Sequence, residues 1–348
     1  MSADADLVVV GGGPIGLATA IEARLAGLDV IVVEPREGPI DKACGEGLMP
    51  GAVAALDRLG VHADGCDLAG IAYLDGETRA EHRFQRGPGR GIRRTVLHAA
   101  LADRAHQLGV RRIVGKVTGL RQDAVGVRVA LGASRDLLTP WMIACDGLHS
   151  TVRRLTGLAR VPDSRKPSRF GVSRHFALAP WSEFVEVHWT PTAEIYITPL
   201  GPELLGVAVL GRRGLDFARV IEQSPDVAAR LSGAAPVGTL RGAGPLLQRT
   251  RRRTAGHVLL AGDASGYVDA LTGEGLRVGF AQARAAVSAV VTNDAAAYER
   301  AWADSTRDFR LLTSGLLAAS RSPLRSRIVP AAARSPRLFG TVVERLAR

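Results

Sequence analysis

The first residues of the chain alternate short apolar runs with glycine-rich breaks. Leu7–Val10 is an uninterrupted apolar run, residues 11–16 are rich in glycine, and apolar residues then recur at helical spacing from 17 to 26. Gly27 ends this predicted helix, and Val30–Val33 is a second apolar run. The order predicts a β-α-β unit of about 30 residues with parallel strands and a right-handed connection.

The rest of the chain predicts a mixture of helices and strands that are separated by glycine and proline. The predicted helices are 51–59, 94–108 (apolar side Val96, Leu97, Ala100, Leu101 and Leu108), 275–291 and an arginine-rich helical tail from Asn293. The predicted strands are a hairpin over 71–84, an antiparallel pair 113–120 and 125–131, a buried strand 141–144, three strands 184–189, 193–198 and 204–210, and a buried strand 258–260.

The composition of the chain argues against several classes of protein. The 348 residues are 46% apolar, and no window approaches the ~18 apolar residues of a membrane-spanning helix. The acidic start does not resemble a secretory signal, so we expect a cytoplasmic protein. The net charge of +11 comes with only 5% aromatic residues and with no basic–aromatic stripe, so no nucleic-acid partner is expected. Cys44, Cys66 and Cys145 are too scattered for a disulfide framework or a zinc site, and no metal is expected.

The strongest chemical signal is the glycine-rich segment GGGPIG at residues 11–16. In such a loop Gly11 permits a tight turn, Gly13 lets the backbone approach a pyrophosphate, and Gly16 lets the helix pack against the strand. The start of the helix offers free N–H groups to phosphates. Glu34 closes the second strand, where a carboxylate accepts ribose hydroxyls. The segment predicts dinucleotide binding without separating NAD from FAD.

Later segments resemble, in order, an FAD family that includes para-hydroxybenzoate hydroxylase-type monooxygenases and geranylgeranyl reductases. Residues 143–153, IACDGLHSTVR, resemble its Asp-Gly block. Residues 259–264, LLAGDA, resemble its second FAD block, and the resemblance implies that Asp263 binds the ribityl hydroxyls. Residues 271–276, LTGEGL, resemble the start of a helix whose dipole stabilises negative charge on a reduced flavin.

Two further positions complete the resemblance, which covers roughly residues 7 to 300. Arg94 resembles the arginine of an Arg-x-x-Leu helix that touches the cofactor, and Val117 resembles the position whose backbone meets the adenine. The predicted cofactor-binding residues are Gly11, Gly13, Pro14, Ile15, Gly16, Glu34, Arg36, Cys44, Gly45, Gly47, Arg94, Val117, Asp146, Asp263, Gly273, Gly275 and Leu276.

The resemblance implies an α/β fold, with a Rossmann-like FAD-binding domain (GR2-type), an inserted antiparallel β-sheet substrate domain and C-terminal helices. The predicted boundaries are 1–70, 94–161 and 251–292 for the three parts of the FAD-binding domain, 71–93 for a substrate-domain hairpin, 162–250 for the antiparallel sheet and 293–348 for the helical tail.

Residues 42–47, KACGEG, resemble the Cys-Gly segment that runs along the flavin in geranylgeranyl reductases. We expect Cys44 to contact the cofactor without covalent chemistry, because no histidine partner is evident. Residues 194–199, EIYITP, keep only Tyr196 and the proline of the reductases' aromatic strand, and the halogenase segment Trp-x-Trp-x-Ile-Pro is absent. At Ala270 the family often has proline.

These features predict an FAD-dependent oxidoreductase. Within that class they favour an NAD(P)H-using monooxygenase that hydroxylates an aromatic or polyketide-like small molecule. NAD(P)H is expected as a transient reductant, because the chain has no second dinucleotide fingerprint. Two alternatives stay open: a geranylgeranyl-reductase-like FAD reductase of prenyl or alkene chains, and a non-catalytic flavoprotein. No residue is assigned a catalytic role, and the oligomeric state is left open.

The substrate pocket is expected between the flavin and the inserted sheet, with His175, His188, Trp189 and Tyr196 as candidate lining residues. A lipophilic substrate would suit a tail in which leucines are interleaved with arginines, because such a tail could rest on an anionic membrane surface. We favour the simpler alternative, in which the tail helices pack on the FAD-binding domain and expose their arginines to water.

Overall fold

The structure is a computed structural model that describes residues 3–132, 136–160 and 168–348. Its strands are β1 Leu7–Val10, β2 Val30–Glu34, β3 Gly47–Leu48, β4 Cys66–Leu68, β5 Gly70–Asp75, β6 Thr78–Arg83, β7 Gly89–Gly91, β8 Arg111–Val114, β9 Gly119–Gln122, β10 Val127–Ala130, β11 Leu137–Thr139, β12 Trp141–Ala144, β13 Arg169–Ala177, β14 Phe184–Trp189, β15 Glu194–Gly201, β16 Leu204–Arg212, β17 Ala235–Ala243, β18 Thr254–Ala255 and β19 Val258–Leu260. Its helices are α1 Pro14–Leu25, α2 Pro50–Leu59, α3 Arg94–Gln107, α4 Thr151–Leu155, α5 Phe217–Glu222, α6 Pro225–Leu231, α7 Gly275–Val291, α8 Ala295–Ser320, α9 Ile328–Arg334 and α10 Pro336–Ala347, with 3-10 helices at Gly262–Ser265 and Pro323–Arg327.

A six-stranded sheet, in the order β18-β19-β12-β1-β2-β8, forms the centre of the first layer. β1 pairs in parallel with β2 on one side and with β12 on the other. Both faces of these strands are buried, which explains why they are unbroken apolar runs rather than alternating ones. α1 joins β1 to β2 and begins at Pro14, whose fixed φ and missing N–H suit a first turn. The predicted β-α-β unit is confirmed.

A seven-stranded sheet, in the order β17-β13-β16-β15-β14-β5-β6, forms the second layer. Its neighbours are antiparallel except for β5 and β14, which pair in parallel, so the predicted antiparallel sheet has one parallel pair. One face packs on α5 and α6 through residues such as Ile195, Val209 and Val220. The other face, which carries Val187 and Tyr196, turns towards the C-terminal helices. Together the two sheets confirm the predicted fold class.

The C-terminal helices belong to the core of the molecule. Tyr298 and Trp302 of α8 lie in the same apolar cluster as Val287 of α7, and the Tyr298 hydroxyl donates to the carbonyl of Leu260 at 2.6 Å. α9 and α10 pack on the second sheet through residues such as Phe339. The predicted packing on the FAD-binding domain is therefore observed for α8, whereas α9 and α10 pack on the second sheet instead. Within the described part of the chain, no helix combines the length and apolarity needed to cross a membrane.

Two predicted details are wrong. The strand predicted over 113–120 is two strands, because β8 ends at Val114 beside β2 and β9 begins at Gly119 beside β10. The apolar residues suggested one strand, but they serve two sheets: the Val114 side chain is half exposed, and Val117 is buried in the connecting loop. The predicted apolar side of α3 is also partly wrong. Val96 was placed on that side but is exposed, and only Leu97 and Leu101 are fully buried leucines.

Candidate active site

The glycine loop between β1 and α1 is shaped by steric contacts that only glycine satisfies. A Cβ on Gly11, whose φ is +103°, would lie 2.5 Å from the carbonyl oxygen of Cys145. A Cβ on Gly16 would lie 1.8 Å from the carbonyl oxygen of Gly11. A Cβ on Gly13, in contrast, would have no neighbour within 4 Å. Gly11 and Gly16 therefore close the loop onto the fold, while Gly13 leaves space above it for a ligand.

Two buried side chains hold this loop in place. The N–H of Gly12 donates to Oε2 of Glu34 at 2.8 Å, and Nε of Arg36 donates to Oε1 of the same carboxylate at 2.6 Å. Burial alone would raise the pKa of Glu34, but the Arg36 guanidinium and the Gly12 N–H outweigh it and lower that pKa. On the other side, Nε2 of His98 lies 2.9 Å from the Gly12 carbonyl oxygen. His98 was not predicted from the sequence, because a single histidine within a helix matches no known motif.

A cavity of about 850 Å³ begins at this loop and extends between the two sheets. Most of the predicted cofactor-binding residues meet along its wall, namely Gly13, Pro14, Ile15, Cys44, Gly45, Gly47, Arg94, Asp263, Gly273, Gly275 and Leu276. These residues come from five separate segments of the chain. Two of the segments, at Gly13 and Asp263, follow β1 and β19 at the carboxyl ends of parallel strands, where open α/β sheets bind ligands.

Other predicted residues lie outside the cavity wall. Gly11, Gly16, Glu34 and Arg36 belong to the loop and its supports, and Val117 is buried beside β9 and β10. Asp146 caps α4, because its Oδ2 accepts hydrogen bonds from the N–H groups of Thr151 at 2.7 Å and Val152 at 3.1 Å. The other oxygen, Oδ1, is buried and has no partner among the described residues. This geometry gives Asp146 a structural role.

Asp263 presents an unused carboxylate to the cavity. It lies on the 3-10 helix after β19, and none of the described residues donates a hydrogen bond to its side chain. Burial raises the pKa of Asp263, and the positive charges of Lys42, Arg94 and Arg153 oppose that rise. Arg153 also fixes the backbone of this turn, since its Nη1 donates to the Ala264 carbonyl at 3.1 Å. The backbone of the turn is therefore fixed, and the carboxylate keeps its full acceptor capacity for a ligand.

Two cations share the cavity with this carboxylate. Lys42 lies on the cavity wall, and its pKa is lowered by burial and by the charges of Arg94 and Arg36. Nε of Arg94 is buried without a hydrogen-bond partner among the described residues. Lys42 belongs to the predicted Cys-Gly segment at residues 42–47, but nothing in the sequence showed that its side chain lines the cavity. Unpaired donors beside the open Gly13 and the start of α1 fit a pyrophosphate, and Asp263 fits sugar hydroxyls, so these residues fit FAD.

The start of α7 forms another part of the wall. Gly273 has a φ of +72°, and Gly275 is the first residue of the helix. Free N–H groups at this end of α7 can stabilise negative charge in the cavity. The adjacent Glu274 is fully buried and ion-paired with Arg277, and burial raises its pKa to about 7. Its Oε1 has no partner among the described residues.

The Cys-Gly segment is anchored to the second sheet. The N–H of Cys44 donates to the Ser173 hydroxyl at 3.3 Å, and the Cys44 sulfur accepts the N–H of Glu46 at 3.4 Å. Glu46, which has a φ of 59°, places Oε2 2.6 Å from Nε2 of His175 and accepts the N–H of Arg94 at 2.7 Å. Cys44 also lies on the wall of the cavity, where the sequence predicted a contact with the cofactor. The Glu46–His175 pair was not anticipated.

The far half of the cavity is apolar. Tyr196 lines it, with its hydroxyl donating to the Leu271 carbonyl at 2.7 Å, whereas the predicted lining residues His175, His188 and Trp189 do not. His175 pairs with Glu46, and His188 pairs with Glu186 on its own strand. The apolar walls come from the second sheet and from the C-terminal helices, and include Ile71, Val185, Val187, Leu210, Leu246, Leu312, Leu316, Ile328, Leu338, Phe339, Val342 and Leu346.

This combination of a dinucleotide loop, an Asp263 turn and an adjoining apolar chamber defines the protein as an FAD-dependent oxidoreductase. The chain belongs to the FAD binding domain family, whose model matches residues 4–227. It is 29% identical to the menaquinone reductase of Mycolicibacterium smegmatis, over 87% of this chain and 80% of that protein. It is 33% identical to a rifampicin monooxygenase of Streptomyces venezuelae, over 44% of this chain and 34% of that protein.

The fold has a close counterpart among solved structures. The p-nitrophenol 4-monooxygenase of Pseudomonas putida superposes with a TM-score of 0.81 at 22% identity, over 99% of this chain and 97% of that one. The chain therefore spans nearly the whole of that fold, but only about a third of the rifampicin monooxygenase. The likeness supports the arrangement of the two sheets.

Proposed function

We propose that this protein is an NAD(P)H-using monooxygenase that hydroxylates an aromatic ring on a lipophilic, polyketide-like small molecule. The observation that carries the proposal is the continuous cavity, which joins the cofactor wall at Gly13 and Asp263 to the apolar chamber around Tyr196. The cavity volume of about 850 Å³ includes the space that the cofactor would fill. For comparison, pockets that bind drug-sized ligands have volumes of about 300–1,000 Å³.

The walls of the chamber supply what oxygen transfer requires. When bound, FAD accepts a hydride from a nicotinamide nucleotide and makes its electrons available to dioxygen or to a substrate. The side chains of Val187, Leu316 and Phe339 line the apolar chamber without offering a hydrogen bond, so water gains little by entering. The N–H groups at the start of α7 would stabilise negative charge on a cofactor bound at that wall.

The same chamber shapes the substrate class. Polar side chains are few beyond the cofactor wall, and the hydroxyl of Tyr196 is already engaged by the Leu271 carbonyl. A charged or strongly hydrated substrate would lose its hydration without finding partners there. A ring with an extended apolar substituent would instead bury that substituent against α8, α9 and α10.

A second candidate function is the reduction of a prenyl or alkene chain. Two observations favour it: the similarity to a menaquinone reductase spans 87% of this chain, and the Cys44–Gly47 segment lines the cavity. An apolar chamber would suit a prenyl chain as well as it suits a substituted ring. The two functions differ in whether oxygen or hydrogen enters the product.

Product mass distinguishes the two. The FAD-loaded protein is incubated with NADPH and air and with two substrate sets, phenols carrying long alkyl chains and prenylated quinones. The proposal expects one oxygen atom added to a phenol and no product when air is removed. Hydrogen added to a prenyl chain, with or without air, would establish the reductase instead. Both sets are tested at detergent concentrations that keep the lipophilic compounds dispersed.

A further inference from the structure

A second cleft lies against the cofactor cavity, on the side of α7 and α8. Its volume is about 780 Å³, and its wall includes Gly262, Asp263, Tyr267 and Gly275, which line the cofactor cavity as well. The two spaces are therefore neighbours that share a wall at the Asp263 turn, Tyr267, the start of α7 and Leu311 of α8. Nothing in the proposed chemistry so far uses this cleft.

The second cleft is strongly basic. Five arginines line it, namely Arg160, Arg249, Arg253, Arg307 and Arg310. Arg253 is neutralised by Glu299, with its Nε 3.0 Å from Oε2. Arg249, Arg307 and Arg310 form no ion pair with any carboxylate in the described ranges of the chain. The side chains of Arg249, Arg307 and Arg310 are exposed to solvent at the cleft, and partial burial and the neighbouring charges of Arg253 and Arg249 lower the pKa of Arg310.

We propose that this cleft binds the phosphate groups of NADPH, which the monooxygenase reaction uses as its reductant. The inference rests on the proposed function for the need of such a reductant. Guanidinium groups match phosphate oxygens in paired hydrogen bonds, so unpaired arginines around a cleft of this size select a ligand with several phosphates. Three unneutralised arginines exceed what the pyrophosphate of NADH would balance, and the 2′-phosphate of NADPH supplies the further negative charge.

The shape of the cleft favours a nucleotide over a flat anionic surface. The wall of the cleft includes the buried side chains of Trp302 and Gln282 beside the arginines, and the guanidinium carbon of Arg253 lies 4.0 Å from the Trp302 ring centre. Concave sites of this volume are typical of small-molecule ligands. A nucleotide with its phosphates among the arginines would have its other end directed to the wall that the two cavities share.

Direct binding tests the proposal without relying on turnover. Isothermal titration calorimetry measures the affinity of the oxidised, FAD-loaded protein for NADP⁺, NAD⁺ and inorganic pyrophosphate. The variant Arg307→Ala/Arg310→Ala removes two guanidinium groups from the cleft. The control Arg219→Ala/Arg300→Ala makes the same change of net charge at two exposed arginines that line neither cavity.

We expect NADP⁺ to bind more tightly than NAD⁺ and pyrophosphate to compete with it. The Arg307/Arg310 variant should lose at least about tenfold in NADP⁺ affinity, which is about 1.4 kcal/mol. The control should stay within about twofold, since distant exposed charges are screened by salt. FAD affinity, measured by fluorescence on the apoprotein, should be unchanged in both variants.

Three results would overturn the proposal: wild-type protein that binds none of the three ligands, an Arg307/Arg310 variant that binds NADP⁺ as the wild type does, or an equal loss of FAD affinity, which would assign the cleft to the phosphates of FAD. Whether the proposed function fails is decided by a separate measurement, the identity of the product. NADP⁺ binding that depends on these arginines, together with hydrogenated product, would reject hydroxylation and leave the cleft as assigned.

Discussion

Replacing Asp263 by asparagine should separate ligand binding from folding. The side chain is held in the cofactor cavity by a rigid turn, and none of the described residues donates a hydrogen bond to it. Its carboxylate therefore contributes to the fold mainly as a charge withdrawn from water, and to the ligand as an acceptor. The substitution Asp263→Asn keeps the size of the side chain and removes the charge.

The two expected effects have opposite signs. Burial raises the pKa of Asp263 in the folded protein, so the stability linked to this group is present below its unfolded pKa and is lost as pH rises through the folded pKa. At pH 7 the apoprotein of the variant should therefore unfold at a higher temperature than wild-type apoprotein. Losing one hydrogen bond to a charged acceptor costs about 1.5–3 kcal/mol of FAD binding, or roughly 10- to 150-fold in the dissociation constant.

Fluorescence titration of apoprotein with FAD measures the affinity, and differential scanning calorimetry measures the melting temperature. Asp57→Asn serves as the matched control, because Asp57 is exposed on α2 away from the cavity. The control should leave both quantities at their wild-type values. An Asp263→Asn variant that binds FAD as wild type does, or whose apoprotein melts at a lower temperature, would refute this reasoning.

Four further predictions concern single contacts. Gly16→Ala places a Cβ 1.8 Å from the Gly11 carbonyl oxygen, so it should abolish FAD retention on a gel-filtration column and lower the melting temperature. Cys44→Ser should retain FAD, released by acid in the same yield, because a serine hydroxyl can accept the hydrogen bond that the Glu46 N–H donates to the thiol at 3.4 Å; loss of flavin would contradict this. Burial raises the pKa of Glu274 to about 7, so wild-type stability should fall as pH rises from about 4.5 through 7, and Glu274→Gln should flatten that slope in urea titrations. Because the tail helices pack on the fold, the protein should stay in the supernatant with both anionic and neutral vesicles at low salt; cosedimentation with anionic vesicles that fades with added salt would establish a membrane contact instead.

Local motifs determined what the sequence could predict. The glycine loop, the Asp263 turn and the start of α7 are each contained within a few residues, and each was placed at a strand or helix end. The predicted strands 141–144, 184–189 and 258–260 match the structure, because unbroken apolar runs bounded by turn residues leave little choice of conformation.

Contacts between distant segments could not be predicted in the same way. β13 was not predicted, since its buried Arg169, Ser173 and His175 break the apolar pattern, and Arg169 is buried between the carboxylates of Glu194 and Asp269. The tail was predicted to be helical, but its apolar residues showed no sign that they would line the cavity. The basic cleft likewise draws its arginines from three regions of the chain, at 160, 249–253 and 307–310.

The central claim is that the cavity beginning at Gly13 holds one FAD without a covalent bond. Acid precipitation of the purified protein, followed by chromatography of the supernatant, tests it most directly. We expect a yellow protein that releases about one FAD per chain and leaves a colourless pellet. A colourless protein that FAD does not reconstitute, or one that binds NAD alone, would contradict the claim.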